Sequence, residues 1–273
     1  MSPSASRRRP SRRQYAVRRA VALGIVLLVG VAVVRIVGSL LGGDDAGADG
    51  SLAIGAGASD GSEATAQPDE GDDGGDATDP VTTESEPEST GPPSRENPAK
   101  VFIVGDSDAG TFGPYLQTLL DGTQIVETSL DYKVSSGLSR PDFFDWPAEI
   151  EAKLPEVEPD IVVATVGGND AQGLAVESGE FIIGDPVANE AEWVAEYSER
   201  AGAVMDQLMA DGRTLIWVGI PNDDNPEVTE RMAIQDRAAK AAAAERPEVI
   251  FIDTWTRFSG RDGGWAEFVI DPR

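Results

Sequence analysis

The 273-residue chain carries 48 Asp and Glu against 22 Lys and Arg, a formal net charge of −26, with no histidine and no cysteine. Disulfides, cysteine nucleophiles and histidine ligands or bases are therefore excluded for this sequence. The acidic balance argues against a nucleic-acid partner, because phosphate binding needs a basic surface.

The charge is divided unevenly. Residues 1–41 hold eight arginines and no acidic residue, residues 42–99 hold fifteen acidic residues against Arg95, and residues 100–273 hold thirty-three acidic against thirteen basic. The net charges are +8, −14 and −20. Three parts follow: a basic N-terminus with an apolar run (1–41), an acidic linker (42–99) and one folded domain (100–273), of ordinary size for a single core.

Arg7, Arg8, Arg9, Arg12, Arg13, Arg18 and Arg19 precede an apolar run from Ala20 to Val34, which resumes after Arg35 through Leu41. A span needs ~20 mostly apolar residues, and this stretch suffices if Arg35 snorkels to the interface. The arginines should stay cytoplasmic, which puts the remainder outside. The reading is a single transmembrane helix or signal anchor, with a cleaved signal peptide as the competitor. Residues 42–99 are rich in Gly, Ser, Thr, Pro, Asp and Glu and cannot bury enough surface to offset chain entropy, so disorder is expected.

From residue 100 onward, short β-branched or aromatic runs alternate with helical patterns. Strands are expected at 101–105, 124–129, 160–166, 214–219 and 249–253. One helix is expected at about 190–211, from Trp193, Tyr197, Ala201, Val204 and Leu208 at spacings of four and three, ending at Asp211-Gly212. Another runs from Asn225-Pro226, a cap followed by proline in the first turn, to about Ala244. Residues 173–189 read as an insertion, with Phe181-Ile182-Ile183 lining the site. Strand–helix alternation implies an α/β fold: a doubly wound parallel sheet, flavodoxin-like, in three α/β/α layers. Right-handed crossovers gather the strand C-termini on one edge, where ligands and chemistry sit in open α/β sheets. That edge collects Gly105-Asp106-Ser107-Asp108, Ser135-Ser136-Gly137-Leu138, Gly167-Gly168-Asn169-Asp170, Asn222-Asp223-Asp224 and Asp253-Thr254-Trp255.

Gly-Asp-Ser after a strand, a lone glycine in the next crossover and Gly-x-Asn-Asp after the third strand resemble the first three blocks of the SGNH (GDSL-like) hydrolases. The resemblance covers about 100–255, and a poorly characterised bacterial branch with membrane-anchored members is the most similar. It implies a serine esterase or acyl-ester hydrolase acting outside the cytoplasm on small-molecule or glycan acyl esters, for example O-acylated cell-envelope glycans. Ser107 would be the nucleophile. The oxyanion donors would be the backbone N–H of Ser107, the N–H of Gly137 and the side-chain amide of Asn169. No organic cofactor and no metal is implied, and the sequence does not set the oligomeric state.

The superfamily's late Asp-x-x-His base is missing. The reading is a C-terminally incomplete domain, with a naturally inactive relative or an enzyme using another base as alternatives. Asp253 and Asp271 are the substitutes to weigh, and a solvated carboxylate titrating near ~4 is a poor acceptor for a hydroxyl proton. Two other classes stay open: a non-catalytic SGNH-fold binding or scaffold module, and a Mg-dependent phosphatase with Asp106 as nucleophile and Asp108 as acid/base. The second leaves Gly167-Gly168-Asn169-Asp170 unexplained.

Overall fold

A computed structural model of the chain describes residues 31 and 92–269. The basic N-terminus, the acidic linker up to residue 91, and Asp271 lie outside those residues, apart from Val31. Among the described residues, no helix is long and apolar enough to cross a membrane.

The elements follow in alternation: β1 (Ala99–Gly105), α1 (Ser107–Asp121), β2 (Val126–Tyr132), α2 (Trp146–Val157), β3 (Ile161–Thr165), α3 (Glu190–Met209), β6 (Thr214–Val218), α4 (Pro226–Ala244), β7 (Ile250–Ile252) and α5 (Thr254–Phe258). Between β3 and α3 lies an antiparallel hairpin, β4 (Leu174–Ala175) and β5 (Phe181–Ile183). The main sheet has the order β2-β1-β3-β6-β7, and every neighbouring pair is parallel. With the hairpin set aside, this is the expected doubly wound order.

The central strands are apolar on both faces because helices cover both. Phe102 and Val104 of β1, Val162 and Ala164 of β3, and Leu215 and Trp217 of β6 point to one side. There they meet Trp146 and Ile150 of α2, Trp193, Tyr197 and Leu208 of α3, and Ile234 and Ala238 of α4. The alternate residues Val101, Ile103, Val163, Ile216 and Val218 meet Phe112, Leu116 and Leu120 of α1 on the other side. The period of two along each strand thus sorts one hydrophobic run into two cores.

Two boundaries differ from the sequence reading. β2 begins at Val126 and runs to Tyr132, later than the expected 124–129. Thr123 and Gln124 are held in a turn by N–H bonds to Leu120 and Asp121, with Gln124 at φ 61°, so the chain is not yet extended there. The long helix α3 stops at Met209 and passes into a single 3₁₀ turn, Ala210–Gly212, with Asp211 at φ 59°. Asn225 caps α4 by accepting from the Glu227 N–H at 3.0 Å, and Pro226 follows, as the sequence implied.

The register places the functional edge. Gly105 sits opposite Tyr132 of β2 and Thr165 of β3, so these three strands end level. The Asp106 N–H then bonds the Thr165 carbonyl at 3.1 Å. This close approach requires glycine at 105: its φ is +154°, and a Cβ would lie 1.9 Å from the Thr165 oxygen. Gly105→Ala should therefore destabilise the domain by ~3 kcal/mol, the upper range for overpacking against backbone. Urea unfolding followed by far-UV circular dichroism measures it, and a loss under ~1 kcal/mol would show that the two strands can part at little penalty.

Candidate active site

Ser107 is the first residue of α1, delivered to the edge by β1. Asp106 caps the helix, its Oδ1 accepting the Asp108 N–H at 2.8 Å. Its Oδ2 accepts the N–H groups of Gly167 at 2.9 Å and Gly168 at 2.7 Å, in the loop after β3. The Asp106 side chain is fully buried. One carboxylate thus caps α1 and clamps the β3 loop beside Ser107.

Burial, then the charge of Asp108, pushes the Asp106 carboxyl up to about 8, against three N–H donors that favour the anion.

The loop after β2 carries Gly137. Ser136 anchors it: its hydroxyl donates to the Lys133 carbonyl at 2.7 Å and accepts the indole N–H of Trp146, at the start of α2, at 3.0 Å. The next two residues, Leu138 and Ser139, donate their N–H groups to Asp170 at 2.7 and 3.0 Å. Gly137 itself is buried and lies flat against that carboxylate. A Cβ there would fall 1.8 Å from Asp170 Oδ1, which is why the position takes glycine.

Asn169 follows the clamped Gly167-Gly168 pair. Its amide donates to the Ser136 carbonyl at 3.0 Å, next to Gly137. An amide nitrogen carries two hydrogens, so a second donor remains. The N–H groups of Ser107 and Gly137 bond no acceptor among the described residues. The loops after β1, β2 and β3 are thereby tied together by Asp106, Asp170 and Asn169, and each presents an N–H donor without a partner. Ser107 Oγ has no hydrogen bond among the described residues, and the residue is half-buried.

A groove of about 590 Å³ begins at Gly137 and runs between the loop after β2, the β4–β5 turn and α3. Its walls are mainly apolar, with Leu138, Phe144, Trp146, Val176 and Val204. Arg200, the cation on its wall, is held by Glu196 and by the carbonyls of Leu138 and Ala175. Ser107 and Asn169 do not line this groove. Phe181 and Ile182 are about half exposed on the hairpin, and Arg140 lies 5.1 Å over the Phe181 ring.

The family model for "Protein of unknown function (DUF459)" matches residues 100–273, well over half of the chain. The chain belongs to the DUF459 family. The sheet order, together with Gly-Asp-Ser and Gly-x-Asn-Asp at its C-terminal edge, makes this DUF459 domain SGNH-like by fold and by motif. No curated protein matches the sequence. Several solved structures are similar. LAE5, an alpha/beta hydrolase enzyme from the metagenome of Lake Arreo, is 14% identical over 57% of this chain and 77% of its own, with a TM-score of 0.40. Axe2, an acetylxylan esterase from Geobacillus stearothermophilus, is 14% identical over 57% of this chain and 76% of its own, with a TM-score of 0.38. A G-D-S-L family protein from Desulfitobacterium hafniense DCB-2 is 16% identical over 62% of this chain and 85% of its own, with a TM-score of 0.42. At this level of identity and overlap, such likenesses say nothing about the activity of the DUF459 chain.

Two alternatives considered from the sequence lose their footing in the geometry. A phosphatase nucleophile at Asp106 needs a carboxylate oxygen facing the substrate, yet both oxygens accept buried backbone N–H groups. Asp253, weighed as a substitute base, caps α5 by accepting the Thr256 N–H at 2.9 Å and its hydroxyl at 2.8 Å, and it pairs with Lys240 at 3.0 Å. Burial raises its carboxyl, but the Thr256 bonds and Lys240 outweigh that and hold it below the ordinary value, which makes it a weaker base still.

Asp106 and Asp170 were visible in the motifs, but not their clamping roles. Asp170 also accepts the Tyr197 hydroxyl, which in turn accepts from Gln235, and these two partners carried no sequence signal beyond Tyr197's place on an apolar helix face.

The raised Asp106 carboxyl makes stability depend on pH. Its folded pKa lies above the unfolded value, so its contribution is complete below about pH 4 and is lost as pH rises through about 8. Asp106→Asn removes the titration and leaves an amide facing N–H donors. The variant should be less stable than the parent, and the gap in melting temperature should narrow between pH 5 and pH 8. A gap that stays constant across that range would show that the three N–H donors keep Asp106 ionised throughout.

Proposed function

We propose that the domain is a serine esterase site of SGNH type, acting outside the cytoplasm on acyl esters, with O-acylated cell-envelope glycans as the substrate class. The observation that carries this reading is a donor without a partner on each of three tied loops: the Ser107 N–H, the Gly137 N–H and the second hydrogen of the Asn169 amide. Donors fixed in place before charge develops are what a tetrahedral oxyanion requires, and they gain strength where water is excluded. Ser107 Oγ, at the N-terminus of α1, is the attacking group, and the positive end of the helix dipole favours the developing charge.

Proton transfer is the incomplete part. The sequence has no histidine. Attack by Ser107 therefore lacks the usual base, and the turnover available to this chain is what binding and the donors supply, ~10³–10⁴-fold over water. The same absence favours a second reading, a module that holds an acyl ester without turning it over.

Hydrolysis of p-nitrophenyl acetate by the purified protein should stay within that modest range, and Ser107→Ala should abolish it. Ordinary enzyme rates that vanish in Ser107→Ala would reveal a base other than histidine. A rate indifferent to Ser107→Ala would remove the serine hydrolase reading.

The location outside the cytoplasm rests on Arg7 to Arg19 and the apolar run that follows them. A phosphatase reporter active only outside the cytoplasm, fused after residue 60, should be active. Activity of a cytoplasm-only reporter at the same point would overturn the topology.

A further inference from the structure

A chain of buried polar groups reaches from the two helices α3 and α4 to the loop that carries Gly137. Gln235, on α4, is 1% exposed and donates from Nε2 to the Gly167 carbonyl at 2.8 Å and to the Tyr197 hydroxyl at 3.1 Å. A carbonyl can only accept, so turning the Gln235 amide over would set its oxygen against the Gly167 carbonyl oxygen. Because the Tyr197 hydroxyl accepts from Gln235, its own proton points to Asp170 Oδ2, at 2.8 Å. Burial, then the charge of Asp170, holds the Tyr197 phenol well above its ordinary range, so it remains a donor. The ring is locked as well, stacked on Trp193 at 4.7 Å, while the Trp193 indole donates to the Gln172 carbonyl at 2.8 Å.

The donors therefore converge on Asp170: Gln235 donates to Tyr197 and Tyr197 to Asp170 on one side, and the Leu138 and Ser139 N–H groups donate to Asp170 on the other. Asp170 is fully buried, as is Tyr197. Neither can touch a substrate.

We propose that Gln235, Tyr197 and Asp170 are positioning residues that set the direction of the Gly137 N–H and, through the Gly167 carbonyl, the height of the Asn169 loop. This inference rests on the esterase reading and adds to it. The Gly137 N–H shares its peptide plane with the Ser136 carbonyl, which accepts the Asn169 amide, and the residues on either side are held by Ser136 on Trp146 and Leu138 on Asp170. Asp170 in turn is held on its far side by the Tyr197 hydroxyl. The loop after β3 is held through the Gln235 amide, since its Nε2 bonds Gly167, whose carbonyl also accepts the Asp170 N–H at 3.0 Å. Two buried side chains, on helices α3 and α4, thus reach the loops of two of the three proposed donors.

The test is Tyr197→Phe in the full chain, which deletes one oxygen and keeps the stacked ring. The 1H–15N spectrum of the variant should show displaced amide signals for Gly137, Leu138 and Ser139, while signals from α1 and β7 stay in place. Hydrolysis of p-nitrophenyl acetate should fall about tenfold in kcat, the size of one lost hydrogen bond to a charged group, with KM within about twofold. Gln235→Met, which keeps the volume and leaves the Asp170 bonds intact, should move the same signals by less. A purely structural role predicts a lower melting temperature with the three amide signals and kcat unchanged, and that result would overturn the proposal. Should parental hydrolysis prove indifferent to Ser107→Ala, the esterase reading fails by itself, and the amide signals still decide whether the chain positions the loop.

Discussion

Two buried aspartates hold the C-terminal edge of the sheet together, and among the described residues no cationic side chain is hydrogen-bonded to either. Asp106 accepts three backbone N–H groups, and Asp170 accepts two together with a phenolic hydroxyl. A buried carboxyl group without hydrogen bonds is strongly unfavourable, so these bonds are obligatory. Because the donors belong to different loops, satisfying the buried oxygens and bringing the loops together are the same event. Removing either aspartate leaves two or more buried N–H groups without acceptors, and each such loss costs about 1–3 kcal/mol.

The arrangement works only on a stiff platform. The three strands β2, β1 and β3 end level, and the close passage of Gly105 beside Thr165 sets the loops within reach of each other. The apolar cores on both faces carry most of the stability, while the polar network adds little net energy and much geometric definition. Aromatic residues serve both purposes. Trp146 fills the core and donates to Ser136; Trp193 packs on Tyr197 and donates to Gln172. Each joins a polar loop to the hydrophobic interior through a single side chain.

Residues 100–273 carry a net charge of −20. A field of that sign repels polyanions at low ionic strength.

Much of the architecture was legible in the sequence because it depends on local pattern. The β-branched runs, the Asn225-Pro226 start and the apolar stripe of α3 identified a doubly wound sheet, and Gly-Asp-Ser with Gly-x-Asn-Asp marked its functional edge. The late start of β2 escaped because the turn that ends the preceding helix at Asp121-Gly122 extends to Gln124, which takes a left-handed conformation without being glycine. What the tertiary structure alone decided is which polar groups meet. Gly137 and Asp170 are more than thirty residues apart, and Gln235 lies 68 residues beyond Gly167. Nothing in the spacing of residues on α3 and α4 selects Tyr197 and Gln235 as partners of a carboxylate on another loop. Composition determined that a histidine base is absent from this chain, since no fold can supply a residue type the sequence lacks. The buried hydrogen-bond chain was decided only when the sheet brought its ends into register, because hydrogen bonding depends on atoms coming within about 3 Å and not on their order along the chain.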